Sequence, residues 1–136
     1  MKKTILTIAI LSIIGIIMFN LFNRSSDKKE KTMGIDISTE EFKEKRAETE
    51  GVIIDVRTKA EYEDGHLAET DHQYDLTNGD FQAQLNNLNK DETYYLYCRT
   101  GNRSGQAARI MKNAGFGKVY NVGGFSDLAK AGFETE

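Results

Sequence analysis

Apolar residues are distributed along this chain in two ways. From Thr4 to Phe22, nineteen residues carry no ionisable side chain and fourteen of them are apolar. After Gly34 the apolar positions come instead in short runs separated by polar segments and glycines. Val52-Ile53-Ile54-Asp55-Val56-Arg57 is a β-branched run of the kind that forms a central strand buried on both faces. Thr93 to Tyr97 and Lys118 to Val122 read as further strands, Ile35 to Ile37 as a short one, and Gln73 to Leu76 as a weakly signalled one. Helical patterns lie between them. Ser38-Thr39-Glu40-Glu41 has the hydroxyl and first-turn carboxylates of a helix start, with Phe42 as its core anchor. Thr58 opens a short helix through Glu63, which Asp64-Gly65 closes with a glycine at the left-handed C-terminal position. Phe81, Leu85 and Leu88 recur at helical spacing, Arg103 to Ala114 forms the next helix, and Gly123-Gly124 leads into Phe125 to Ala131. Strands alternating with helices imply an α/β domain with a parallel sheet covered on both faces, and ligands at the carboxyl ends of its strands.

The apolar run at the front changes the picture of the whole chain. A helix over residues 4–22, at about 1.5 Å per residue, nearly matches a hydrocarbon core of roughly 30 Å. Three segments follow: a signal-anchor or transmembrane helix at 1–22, a polar tether at 23–34, and a domain at 35–136. A cleaved secretory signal is the competing reading, but Phe19-Asn20-Leu21-Phe22-Asn23-Arg24 offers no small-residue cleavage site. Lys2 and Lys3 on one side and Arg24, Lys28, Lys29 and Lys31 on the other leave the positive-inside rule undecided. A two-lysine leader resembles that of an export signal, so the expectation is a single-pass protein with its domain outside the cytoplasm. Removing Lys2 and Lys3 leaves 16 basic residues against 21 acidic ones, a net charge of −5. Such an acidic domain has no basic stripe for nucleic acid. A single cysteine excludes an internal disulfide, and with His66 and His72 it gives no zinc-ligand spacing.

That cysteine is where the candidate chemistry lies. Cys98 ends an apolar strand, and the loop Arg99-Thr100-Gly101-Asn102-Arg103-Ser104 leads into a helix. Unpaired N–H groups at a helix start favour negative charge in front of them, and Arg99 and Arg103 add two cations. All three effects lower a thiol pKa. Four residues separate Cys98 from Arg103, a tighter ring than a phosphoryl group requires, and Gly101 permits the left-handed backbone that turns successive N–H groups inward as an anion nest. A sulfur atom bound to Cys98 fits that ring better than a phosphate does. Asp55 and Arg57, at the end of the central strand, read as a hydrogen-bonded pair supporting neighbouring loops. His66 reads as a turn residue and His72 as an exposed one.

With its Cys-x-x-Gly-x-Arg-Ser loop at Cys98 to Ser104, the chain resembles the single-domain rhodaneses, a sulfurtransferase family. Asp55-Val56-Arg57, Glu61-Tyr62, Gly65-His66-Leu67 and Gly123-Gly124 match its other signatures in order. The resemblance spans Ile35 to Gly132. It departs where Ala68 to His72 replaces a proline-containing segment, and where Leu128 lies in the region of a frequent tryptophan. It implies a mainly parallel five-stranded sheet flanked by helices, no metal or organic cofactor, and a Cys98 persulfide intermediate. A thiosulfate-like donor would load Cys98, and cyanide, a thiol or a thiol protein would unload it. The loop amides from Arg99 to Ser104 would hold the persulfide charge, and the domain would act as a monomer. Two alternatives stay open: a sulfur-carrier or redox-relay module with little thiosulfate activity, and a non-catalytic interaction domain.

Overall fold

Ser38 sets the first helix in place. Its hydroxyl accepts the Glu41 N–H at 3.1 Å while the Glu41 carboxylate accepts the Ser38 N–H at 2.9 Å, so two helix-start donors are satisfied reciprocally. The computed structural model describes residues 34–136; the expected anchor at 4–22, and all of the tether but Gly34, fall outside the described residues. Among the described residues no helix is long and apolar enough to cross a membrane.

The helices are α1 (Thr39–Glu48), α2 (Lys59–Glu63), α3 (Asp80–Gln84) with a 3-10 turn at Leu85–Asn87, α4 (Asn102–Asn113) and α5 (Phe125–Lys130). The strands are β1 (Val52–Asp55), β2 (His72–Gln73), β3 (Thr93–Cys98) and β4 (Lys118–Gly124). All pair in parallel in the order β2-β1-β3-β4, so β1 and β3 are central. Among the described residues the expected five-stranded sheet is therefore a four-stranded one. Ile35 to Ile37 lies alongside β4 but forms only a single parallel bridge, Asp36 with Asn121. Two backbone hydrogen bonds hold it, Asn121 N–H to Ile35 at 2.7 Å and Ile37 N–H to Asn121 at 3.1 Å, too few for a ladder. Of the strand expected at Gln73 to Leu76 only Gln73 lies in β2, which begins one residue earlier, and His72 is half-buried, its ring stacked 5.0 Å from Tyr74, not exposed.

Alternation along β1 and β3 divides the core in two. Ile54, Val56, Leu96 and Cys98 face Ala107, Ala108 and Met111 of α4, together with Phe81. Ile53, Tyr95 and Tyr97 face Phe42 of α1 and Leu128 of α5. Each of these large side chains contributes roughly 1.5–3 kcal/mol by leaving water, and this double burial fixes the height at which β3 ends. The C-terminal segment packs back on the domain: Leu67 bridges Thr135, and Phe133 stacks 4.8 Å from Phe42.

Register slips once, between Leu96 and Tyr97, where Val122 of β4 is passed over so that Tyr97 pairs with Gly123. Such a bulge re-aims the residues beside it. Here it lies next to the end of β3 that carries the cysteine.

Candidate active site

Cys98 is the last residue of β3 and has no exposed surface. The chain reverses immediately after it. Gly101 takes φ +92°, and a Cβ there would approach the Gly123 backbone to 3.3 Å, so glycine is required both by conformation and by space. Gly124 answers a different demand: the Arg99 carbonyl oxygen would lie 2.5 Å from any Cβ at that position. The double glycine of β4 is the seat on which the loop rests.

The start of α4 has no side-chain cap. Its donors turn to the sulfur instead: the Gly101 N–H lies 3.1 Å from Cys98 Sγ, and the Ser104 hydroxyl oxygen 3.3 Å. Burial pushes the thiol pKa up, but the Ser104 hydroxyl and the backbone N–H groups of Ser104, Thr100 and Gly101 outweigh it and hold the thiol below its ordinary value. Oriented dipoles thus favour the thiolate form of Cys98.

The two arginines do different things. Arg103 points to α2, where its two terminal nitrogens donate to the Glu61 carboxylate at 2.7 and 2.8 Å. This bidentate pair, with hydrogen bonds from Thr58, holds the Glu61 carboxyl down at about 2. Arg99 is exposed and has no hydrogen bond or ion pair among the described residues. It borders a depression of about 350 Å³ lined also by Arg57, Glu61, Asp64, Gly65 and Phe125. Thr100 and Asn102 are exposed on the outer side of the loop, and Ser104 is buried beneath it.

Asp55 and Arg57 form the buried pair that their position suggested. Arg57 Nε and Nη2 reach the Asp55 carboxylate at 2.7 to 3.0 Å, and Nη2 also donates to the Gly65 carbonyl at 2.7 Å. The guanidinium lies 4.6 Å from the Phe125 ring centre. It ties the end of β1 to the turn after α2 and to the start of α5 at the depression.

Two residues were not assigned a site role from sequence. Glu61 appeared only as part of a motif; nothing local indicated that its partner lay in a loop forty-two positions later. Asn121 was read as part of a strand. It is buried, accepts from the Ser104 hydroxyl at 2.7 Å, and donates to Asp36 at 2.7 Å and to the Gly101 carbonyl at 3.0 Å. Its one visible signal is an amide inside the run Val119-Tyr120-Asn121-Val122.

The chain is similar in sequence and fold to known proteins. Residues 38–131 match the family model of the rhodanese-like domain. A Bacillus subtilis protein, YrkF, whose name designates it a sulfur carrier, is 41% identical over 88 residues, which are 64% of this chain but only 46% of that relative. A protein of Allochromatium vinosum named sulfurtransferase is 31% identical over 90 residues, 65% of this chain and 81% of its own. The fold matches that of the rhodanese-like domain of an Anabaena protein with a TM-score of 0.65 at 24% identity, covering 76% of this chain and 80% of that one. The chain belongs to the rhodanese-like family, whose members named here are a sulfurtransferase and a sulfur carrier.

Proposed function

We propose that the domain moves sulfane sulfur through a persulfide on Cys98, taking it from a thiosulfate-like donor and passing it to a thiophilic acceptor. The observation that carries this reading is the inward turn of the Gly101 N–H and the Ser104 hydroxyl onto a sulfur at an uncapped helix start. The Cys98 thiolate attacks the outer sulfur of the donor; the donor S–S bond breaks, its electron pair leaves with sulfite, and Cys98 keeps the transferred sulfur as a persulfide anion. Cyanide or a thiolate then attacks that outer sulfur and the Cys98 thiolate returns. Charge balances in both half-reactions, which form a double-displacement cycle. The amides from Arg99 to Ser104 stabilise the outer sulfur's charge as an oxyanion hole would. A sulfur with no exposed surface is approached by one small atom, a terminal sulfur sooner than a phosphoryl group. Arg99, beside the depression, is placed to discriminate among anionic donors. The cycle draws on no metal or organic cofactor and needs one copy of the domain.

The apolar run at residues 4–22 supports a single-pass anchor, with the domain outside the cytoplasm. Labelling of Cys98 in intact cells by a membrane-impermeant thiol reagent tests this, with protection until lysis as the contrary result.

Thiosulfate-to-cyanide transfer by the wild type, absent in Cys98→Ser, is the expected result. Likeness to YrkF favours a second reading, a carrier loaded by a partner protein. It predicts negligible thiosulfate turnover in the wild type, together with a gain of about 32 Da on Cys98 from a partner's persulfide.

A further inference from the structure

The Ser104 hydroxyl has one proton and two neighbours that want it. Asn121 Oδ1 lies 2.7 Å from Ser104 Oγ, and Cys98 Sγ lies 3.3 Å from it. The amide orientation of Asn121 leaves no freedom: Nδ2 faces two acceptors, Asp36 Oδ1 and the Gly101 carbonyl, while Oδ1 faces the Gly123 N–H at 3.2 Å and Ser104. An amide oxygen cannot donate, so Ser104 is the donor in that bond. Beside a neutral thiol the hydroxyl proton rests on Asn121 and the S–H points at Ser104 Oγ. A thiolate at the same place would face a lone pair, so the hydroxyl must turn from Asn121 to the sulfur.

We propose that Asn121 is a positioning residue that competes with Cys98 for the Ser104 proton and thereby sets the ease with which the thiol ionises. This deepens the sulfur-transfer reading, on which it rests for its catalytic meaning. During the cycle the hydroxyl turns twice. It donates to Sγ in the thiolate; once the persulfide forms, negative charge moves to the outer sulfur, Sγ becomes a poor acceptor, and the proton returns to Asn121 Oδ1. No bond to hydrogen breaks in either turn. The Gly123 N–H remains on Oδ1 throughout, so Asn121 is never left without a donor.

Charged groups surround the pair on every element packed there: Asp36 ahead of α1, Asp55 and Arg57 at the end of β1, Glu61 on α2, Arg99 in the loop, and Arg103 and Arg109 on α4. Four of the seven are engaged in ion pairs. Asp55 is held by Arg57 and Glu61 by Arg103, and none of the seven donates a hydrogen bond to Sγ. Among the described residues, the only side-chain donor on the sulfur is the hydroxyl that Asn121 also holds.

Direction separates this role from a structural one. Asn121→Leu keeps the bulk and removes the competing oxygen, so the midpoint of Cys98 alkylation by iodoacetamide against pH should fall by about one unit, tenfold in the ionisation constant. In a Ser104→Ala background the same substitution should move the midpoint by less than half as much. Loosening of the loop would instead raise it. A midpoint in Asn121→Leu that is unchanged or higher, or an equal fall in both backgrounds, overturns the proposal. If the variant does not fold, the wild-type Asn121 side-chain amide resonances decide: they should titrate together with Cys98, and at most half as far in Ser104→Ala. Absence of that titration is equally fatal. The midpoint is read with no sulfur donor present, so it stands or fails apart from thiosulfate turnover.

Discussion

Two neighbouring strands of this sheet end in helices, and they end differently. At the exit of β1 the helix start caps itself. The Thr58 hydroxyl accepts the Glu61 N–H at 3.3 Å, Glu61 returns to the Thr58 N–H at 3.1 Å, and Asp55 and Arg57 fill the turn with a salt bridge. At the exit of β3 there is no such cap; Gly101 stands at the N-cap position and the free donors converge on Cys98. Topology is shared, and the difference lies in who satisfies the orphan N–H groups. The start at Thr58 closes on its own side chains, whereas the start at Gly101 leaves its donors facing the Cys98 sulfur. Arg103 and Glu61 link the two, so the self-capped turn is tied to the one that carries Cys98.

The largest effect should follow from breaking the self-capped turn. Arg57→Ala leaves the Asp55 carboxylate buried without its partner, which costs on the order of 3–5 kcal/mol. For a domain of about 100 residues that lowers the melting temperature by more than roughly 10 °C, measurable by circular dichroism. A loss below about 1 kcal/mol would mean that the salt bridge does not hold the turn.

Next come two hydroxyls with opposite consequences. Ser104→Ala should raise the midpoint of Cys98 alkylation by about one pH unit while hardly changing the melting temperature. Thr58→Ala should cost about 1 kcal/mol of stability while leaving that midpoint in place. If Thr58→Ala shifts the thiol as far as Ser104→Ala does, the contrast between capped and open turns fails.

The smallest effect concerns the link. The Glu61 carboxyl is lowered to about 2 by Arg103, so its ion pair stabilises the fold above the unfolded value of about 4.5 and is lost as pH falls toward 2. Because both side chains are about a quarter exposed, solvent screening leaves on the order of 1 kcal/mol. Urea unfolding of the wild type and Glu61→Gln should therefore converge between pH 4.5 and 2, the wild type being the more stable above that window. Parallel curves across it would deny the pair that role.

Much of this was legible from residue order, for physical reasons. The strands at Val52 and Thr93 declare themselves because a doubly covered parallel sheet needs unbroken apolar runs, and the loop because one cysteine, one glycine and an arginine at fixed spacing leave few uses. Ser38 and Thr58 announce their caps through a carboxylate at the third helical position. What stayed hidden depends on distant pairing. Whether Ile35 to Ile37 forms a full strand depends on how many bonds β4 offers beside its bulge, and Asn121 acquires its meaning only when Asp36, Gly101 and Ser104 fold around it. Arg103 carries a charge that sequence assigns to the sulfur and the fold shares with Glu61.

The most direct test of sulfur transfer at the open turn is the intact mass of the protein after incubation with a sulfane donor, thiosulfate or a protein persulfide. The expected result is a single addition of about 32 Da, mapped to Cys98, removed by cyanide and absent in Cys98→Ser. A protein whose Cys98 is alkylated readily yet gains no sulfur from either donor would contradict it.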